Sequence, residues 1–443
     1  MTIPQIPQNL GNLVKLREFL DSFRSEIVTS SIYAADRIVS LAADEGTDLT
    51  IQAAIDNLPA AGGSIFIKAG TYPVSTTIVL PNKPVKIVGA GEASVIDIGS
   101  SVIAAFTVPN GLTAARRFDF KSFYIKGNNV VGQEAVRYAD ANNRGDVYLE
   151  DVKITDIETI ANWTAYNYSR QSLFNALRCW ISQSSNTNPV LAKTPSPANT
   201  YSGTVGVKFF DCILDDPAIA YGSLRSWTAE VDGDFWLSDI STLRMRAGSF
   251  NSNGFEAQRS VLALHKNSPA ADVNFYGNGW DNYNYIQDCT LYTYDLGATF
   301  SSFPAHRLAV RGARWFLGNI TFGGAGNPGI LVASTTSGSG TVVSGCWTNS
   351  GASPALEIAS DNCRVIGLTA ISAAIPGSAA ILLNGVTRTV VDGCVFIMTG
   401  TQKTIQETGA ADYNLVSGCN GIATGGGFSI PGANSLVGAD NIG

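Results

Sequence analysis

The sequence predicts an all-β fold, a parallel β-helix preceded by a short α-helical segment. Three observations predict it. One phrase returns four times, as Ser344-Gly345-Cys346, Ile366-Gly367-Leu368, Asp392-Gly393-Cys394 and Ser417-Gly418-Cys419. Its glycines stand roughly 20–26 residues apart, a period that marks solenoids. A short β-rich stretch precedes each phrase (Thr341-Val342-Val343, Arg364-Val365, Thr389-Val390-Val391, Asn414-Leu415-Val416), and alternating small and apolar residues follow, as in Ala355-Leu356-Glu357-Ile358 and Ala380-Ile381-Leu382-Leu383. A unit this short has no room for an ordinary helix. It fits one coil of two or three strands joined by turns.

Composition agrees with this. The 443 residues include 45 glycines and only 15% charged residues, as many tight turns around a long interior require. The net charge of −7 and the pI near 5.0 argue against nucleic acid as a partner, because binding phosphates needs a basic stripe. No apolar run reaches the length of a membrane span, so no membrane insertion is expected. The start, Met1-Thr2-Ile3-Pro4-Gln5-Ile6-Pro7-Gln8, lacks the basic and apolar regions of a secretory signal. The seven cysteines are an odd number without metal-type spacing. Cys212, Cys289, Cys346, Cys394 and Cys419 follow Asp or Gly in the repeat turn or its equivalents. They read as buried thiols stacked coil upon coil, in a protein that folds in a reducing cytoplasm.

Taken in order, residues 1–12 read as an extended arm. Leu13, Leu16, Leu20, Phe23 and Ile27 form an apolar seam on a helix over about 13–29. That helix either packs on its own chain, meets its copies in an oligomer, or docks on a larger particle. The first segment is therefore 1–43, an arm and helix for attachment or oligomerisation. A second start comes at Asp44. Ile51, Ala54, Ile55 and Leu58 share one face of a short helix that Asp48 or Thr50 can cap. Gly62-Gly63 then turns into Ser64-Ile65-Phe66-Ile67, Gly70-Thr71-Tyr72 turns again, and Ile78-Val79-Leu80 and Val85-Lys86-Ile87-Val88-Gly89 are strands.

This opening over 44–91 resembles that of the pectate-lyase-like, right-handed parallel β-helix proteins, a group that includes phage tailspikes and tail-fibre depolymerases. Residues 340–443 resemble the later coils of the same group, and Ile405-Gln406-Glu407-Thr408-Gly409-Ala410-Ala411-Asp412-Tyr413-Asn414 resembles a late-coil turn of phage members. The resemblance implies a capping helix at 50–58 that closes the open end of the solenoid. It also implies a virion protein, a homotrimer, that recognises and in some members cleaves a bacterial surface polysaccharide, with residues 1–43 meeting other virion proteins. The fold itself hosts lyases, hydrolases and non-enzymes.

Further along, Phe118, Phe120, Phe123 and Ile125, then Val147, Leu149, Val152 and Ile154, alternate as strands do. Over 160–322 the repeat blurs and aromatics gather, with Trp163, Trp180, Trp227, Trp236, Trp280 and Trp315 in this region. Segments 184–203 and 266–285 read as excursions from the turns, which in solenoids collect on one face. The β-helix with these excursions is assigned to 44–325, and thin glycine-rich coils to 326–443.

Candidate chemistry centres on Glu230, Asp232 and Asp234, flanked by Trp227 and Trp236. On one strand the three carboxylates point the same way, and such a set suits acid–base cleavage of sugars beside aromatic stacking surfaces. The same oxygens suit calcium, the metal this sequence could take; no reading requires a cofactor. His265 and Lys266, with Arg244, Arg246 or Arg259, could serve a lyase as base and carboxylate-neutralising cation. His306 and Arg307 stand further on. Tyr276, Trp280, Tyr283 and Tyr285 read as a sugar-stacking set or as packing within their loop. The carboxylates favour hydrolysis over elimination. The remaining alternatives are a free polysaccharide lyase or hydrolase and a purely structural virion appendage.

Overall fold

The computed structural model describes residues 35–42, 47–110, 112, 114–139, 145–164, 172–182, 189–194, 205–214, 227–231, 233–241, 243–252, 254–265, 272–277, 284–294, 307–312, 315–324, 329–332, 340–350, 354–372, 379–398, 403–423, 427–439 and 441. The seam helix expected over 13–29 lies outside them.

The chain is a parallel β-solenoid with three sheets running along its length. A complete coil gives one strand to each sheet, as in Val85–Gly89, Ser94–Ile98 and Ala104–Val108, or Val390–Asp392, Val395–Met398 and Lys403–Thr408. Strand pairings between coils are parallel, so a residue lies beside its counterpart in the next coil. Among the described residues the first sheet has 17 strands and ends at Leu436–Val437. The second begins with Gly70–Val74 and the third with Ile78–Val79. Strand Leu243–Ser252 spans a corner: Leu243–Met245 pair with Leu262–Leu264 on the second sheet, and Phe250–Ser252 with Phe275–Gly277 on the third. The two stacks are separate sheets on either side of that strand.

Alternation decides what is inside. Phe118, Phe120, Val147, Leu149, Ile125 and Ile154 are buried, while the residues between them face outward. The core holds a phenylalanine file, in which Phe235 and Phe255 are in register and Phe174, Phe209 and Phe235 meet diagonally across adjacent coils. Phe174, Phe209, Phe235 and Phe255 follow one another with ring centroids 5.9, 6.0 and 6.0 Å apart.

The first coil is closed by the helix Ile51–Asp56, which buries Ile51, Ala54 and Ile55. Of the two expected caps, Thr50 takes the role, its hydroxyl accepting from the Ala53 amide at 3.1 Å. Asp48 instead binds Arg37 at 2.7 and 2.8 Å and accepts from the Asn57 amide at 2.8 Å. Strand Arg37–Val39, upstream of Asp44, pairs with Gly63–Ile67 in the first sheet.

The repeated phrase is the turn from the first sheet to the second. Gly345, Gly367, Gly393 and Gly418 have φ of 62, 62, 61 and 58°. Earlier coils place Ser122, Asp151, Arg178, Asp211, Asp239, Arg259, Asp288 and Asn319 in the same left-handed conformation. From Ser122 through Gly393 each of these amides donates to a carbonyl of the next coil, as Asp211 does to Ser238 and Gly393 to Ser417. The following residue points inward. Cys179, Cys212, Cys289, Cys346, Cys394 and Cys419 occupy that place, and all seven cysteines are free and buried. Burial pushes the Cys289, Cys346 and Cys363 thiols up to about 11, which keeps them unreactive at neutral pH.

Candidate functional site

The carboxylate set expected on one strand is divided by a corner. Glu230 ends strand Trp227–Glu230 on the third sheet, whereas Asp234 lies in Gly233–Ser238 on the first. Val231 between them is 4% exposed and turned into the core, so the chain changes sheet there. Asp232 lies outside the described residues. Trp227 is also 4% exposed, a core residue whose ring offers no face to a ligand.

The remaining candidates are distributed over three sheets. His265 ends Val261–His265 on the second sheet, and Arg244 and Arg246 belong to Leu243–Ser252. Arg259 is committed to the turn ladder, where its Nε and Nη2 each meet Asp239 at 2.6 Å. Tyr276 is on the third sheet, in register with Asn251, which is in register with Glu230. Arg307 begins the next third-sheet strand, Arg307–Gly312. Lys266, Trp280, Tyr283 and His306 lie outside the described residues.

Trp236 and Tyr285, by contrast, are brought onto one face. Along the outside of the first sheet, register pairs Asn175 with Lys208, Lys208 with Trp236, Trp236 with Glu256, Glu256 with Tyr285 and Tyr285 with Phe316. Each step is one coil, about 4.8 Å. Inward neighbours fix the direction, since Val207, Phe209, Phe235, Leu237, Phe255 and Ala257 are buried. The Lys208 Nζ lies 3.8 Å from the centroid of the Trp236 ring. The Tyr285 hydroxyl donates to Glu256 Oε2 at 2.5 Å and accepts from Gln258 Nε2 at 2.9 Å. Burial, then the hydrogen bond to Glu256, pushes the Tyr285 phenol up to about 12. Asp234 pairs in register with Gly254, two residues before Glu256.

The same face continues toward the first coils. The Arg117 guanidinium lies 4.0 Å over the Tyr148 ring and its Nε donates to Asp119 at 2.8 Å. Asp146 beside it is raised from the ordinary carboxylate range by burial, against a 3.0 Å hydrogen bond from the Leu173 amide and the Arg117 charge. The face as a whole presents ring surfaces interleaved with hydrogen-bonding and charged groups, an arrangement that suits polyhydroxylated ligands.

Sequence reasoning missed Lys208 and Glu256. The signal was alternation: each is a charged residue between two buried ones, in Val207-Lys208-Phe209 and Phe255-Glu256-Ala257. Among the described residues, no group of three His, Cys, Asp or Glu side chains comes together as a metal site.

No protein-family model matches the chain, and no curated protein matches it. Solved structures do. A mutant tailspike protein of E. coli bacteriophage HK620, in complex with a pentasaccharide, is 13% identical, covering 92% of this chain and 81% of that one, with a TM-score of 0.47. The A-module of the mannuronan C-5 epimerase AlgE6 of Azotobacter vinelandii is 15% identical over 88% of this chain and 93% of that one, TM-score 0.40. The catalytic unit of a GH87 α-1,3-glucanase from Streptomyces thermodiastaticus is 13% identical over 94% and 68%, TM-score 0.38. At such identities what is similar is the chain path.

Proposed function

We propose that this protein is a receptor-binding β-solenoid of the phage tailspike or tail-fibre kind, which recognises a bacterial surface polysaccharide along the outer face of its first sheet. The observation that carries the reading is the column Lys208, Trp236, Glu256, Tyr285, in which an aromatic face and hydrogen-bonding groups lie in register on a rigid sheet. A periodic ligand suits a periodic surface. The acidic balance of the chain agrees, because it disfavours nucleic acid. The phage role rests on the sequence resemblance of 44–91 and 340–443. With it go a homotrimer, attachment to virion proteins through residues 1–43, and location on the virion. The test is binding of the full-length protein to immobilised capsular and O-antigen polysaccharides, beside Trp236→Ala. Loss of binding in the variant supports the reading; binding that survives it moves the site off this face. A solution mass near three times 46.7 kDa would support the trimer.

A second reading, glycan hydrolysis, is favoured by the placement of Asp234 and Glu256. They lie diagonally on adjacent coils, about 8 Å apart along the backbone from strand rise and spacing. That backbone spacing is compatible with the separation of about 6.5–9.5 Å between carboxyl groups that inverting glycosidases use. New reducing ends that vanish in Glu256→Gln would establish it.

A further inference from the structure

We infer that the sugar lying over Trp236 is next to a carboxylate-bearing residue, of the uronic acid type, whose carboxylate is taken by Lys208 and Asn175. This rests on the reading that the first-sheet face holds the glycan. On the coils around Lys208, Arg117, Lys121, Arg178 and Arg259 each sit against a carboxylate: Asp119, Glu150, Asp151 and Asp239 respectively. Lys208 does not. Its one partner among the described residues is the Trp236 ring. The side-chain amide of Asn175, its register neighbour one coil back, has no hydrogen-bond partner among the described residues. An ammonium and an amide therefore stand side by side, both able to donate, next to an aromatic face.

Covering this place has a consequence. A glycan stacked on Trp236 takes water from the Lys208 ammonium. A neutral sugar would leave that charge uncompensated, which is costly, whereas a carboxylate pairs with it. On the other side of Trp236 the situation is reversed. Glu256 is already met by the Tyr285 hydroxyl, and with Gln258 it offers acceptors and donors to sugar hydroxyls. The face thus has a direction, with its anion-accepting end toward Asn175 and its hydroxyl-binding end toward Tyr285. The two ends are about 14 Å apart, three coil steps from Lys208 to Tyr285.

The experiment uses the full-length protein on a panel of uronate-bearing and neutral capsular polysaccharides. Each acidic one is also offered with its carboxyls chemically reduced to alcohols. The expected result is capture of acidic members, weakened about tenfold by carboxyl reduction and by added salt. Lys208→Gln should lose about the same factor on the native polysaccharide and nothing on its reduced form. Trp236→Ala should lose both. If carboxyl reduction or Lys208→Gln has no effect while Trp236→Ala still abolishes binding, the acidic-sugar inference falls and the first-sheet reading stands. If only neutral polysaccharides bind, the inference falls as well. If Trp236→Ala binds as the wild type does, or nothing on the panel binds, both fall.

Discussion

The Tyr285 hydroxyl donates to Glu256 Oε2 at 2.5 Å, tying two consecutive coils together on the outside of the first sheet. Burial and this carboxylate keep the phenol protonated up to about 12, above its ordinary value near 10. A proton held more tightly in the fold adds stability that is complete below about pH 10 and is lost as pH rises through about 12. The alkaline limb of the wild-type stability curve should therefore be steeper than that of Tyr285→Phe. Ultraviolet titration of the phenols should show one late-titrating tyrosine missing from the variant. Identical titrations would mean that the Glu256–Tyr285 bond does not persist in solution.

Two tryptophans that look alike in sequence should behave oppositely. Trp236 sits half-buried on the outer face, and Trp227 is buried in the core. Trp236→Ala should abolish polysaccharide binding with little change in denaturation midpoint. Trp227→Ala should cost about 3–5 kcal/mol of local stability by leaving a large cavity. The two measurements together separate a ligand-contacting ring from a packing one. A severe loss of stability in Trp236→Ala would place that ring in the fold rather than in recognition.

What could be read in the sequence depended on which residue filled the turn. From Gly345 onward the left-handed position is glycine, the residue that adopts it at least cost, so the period is visible. In the earlier coils Ser122, Asp151, Arg178, Asp211 and Asp239 adopt the same conformation, sustained by hydrogen bonds between coils, and the period disappears from view although the turn does not. The candidate site was half legible for a similar reason. Trp236 and Tyr285 stand out by type. Their being neighbours depends on coil register, which no local pattern reports, and the corner at Val231 that separates Glu230 from Asp234 is marked only by one inward valine.

Two glycines, Gly393 in that ladder and Gly127 after strand Tyr124–Lys126, give a graded test of how closely the coils stack. A Cβ at Gly393 meets nothing within 4 Å, so Gly393→Ala pays only for the left-handed backbone, about 1 kcal/mol. A Cβ at Gly127 would run into the Asp156 carbonyl oxygen and the Ile157 side chain, and the backbone must shift. Gly127→Ala should therefore be clearly more destabilising than Gly393→Ala in urea denaturation. Equal costs would show that the coils relax around an added methyl group more readily than close strand stacking implies.

Acid should open the solenoid from its first coil. Arg37 holds the Asp48 carboxyl below the usual carboxylate range, with help from Asn57 and against the effect of burial. A lowered folded value means that stability is present above the ordinary value near 4 and is lost as pH falls through the folded one. Asp48 is nearly fully buried, so its two charge-assisted bonds to Arg37 are little screened. Asp48→Asn should remove about 2 kcal/mol from this end and flatten its acid dependence. Because a solenoid coil contacts only its neighbours, the loss should stay local. Amide exchange in 47–58 should rise in the variant at neutral pH, and in the wild type only as the pH is lowered. Unchanged protection of 47–58 in Asp48→Asn would mean that Ile51, Ala54, Ile55 and Leu58 hold the capping helix by burial alone.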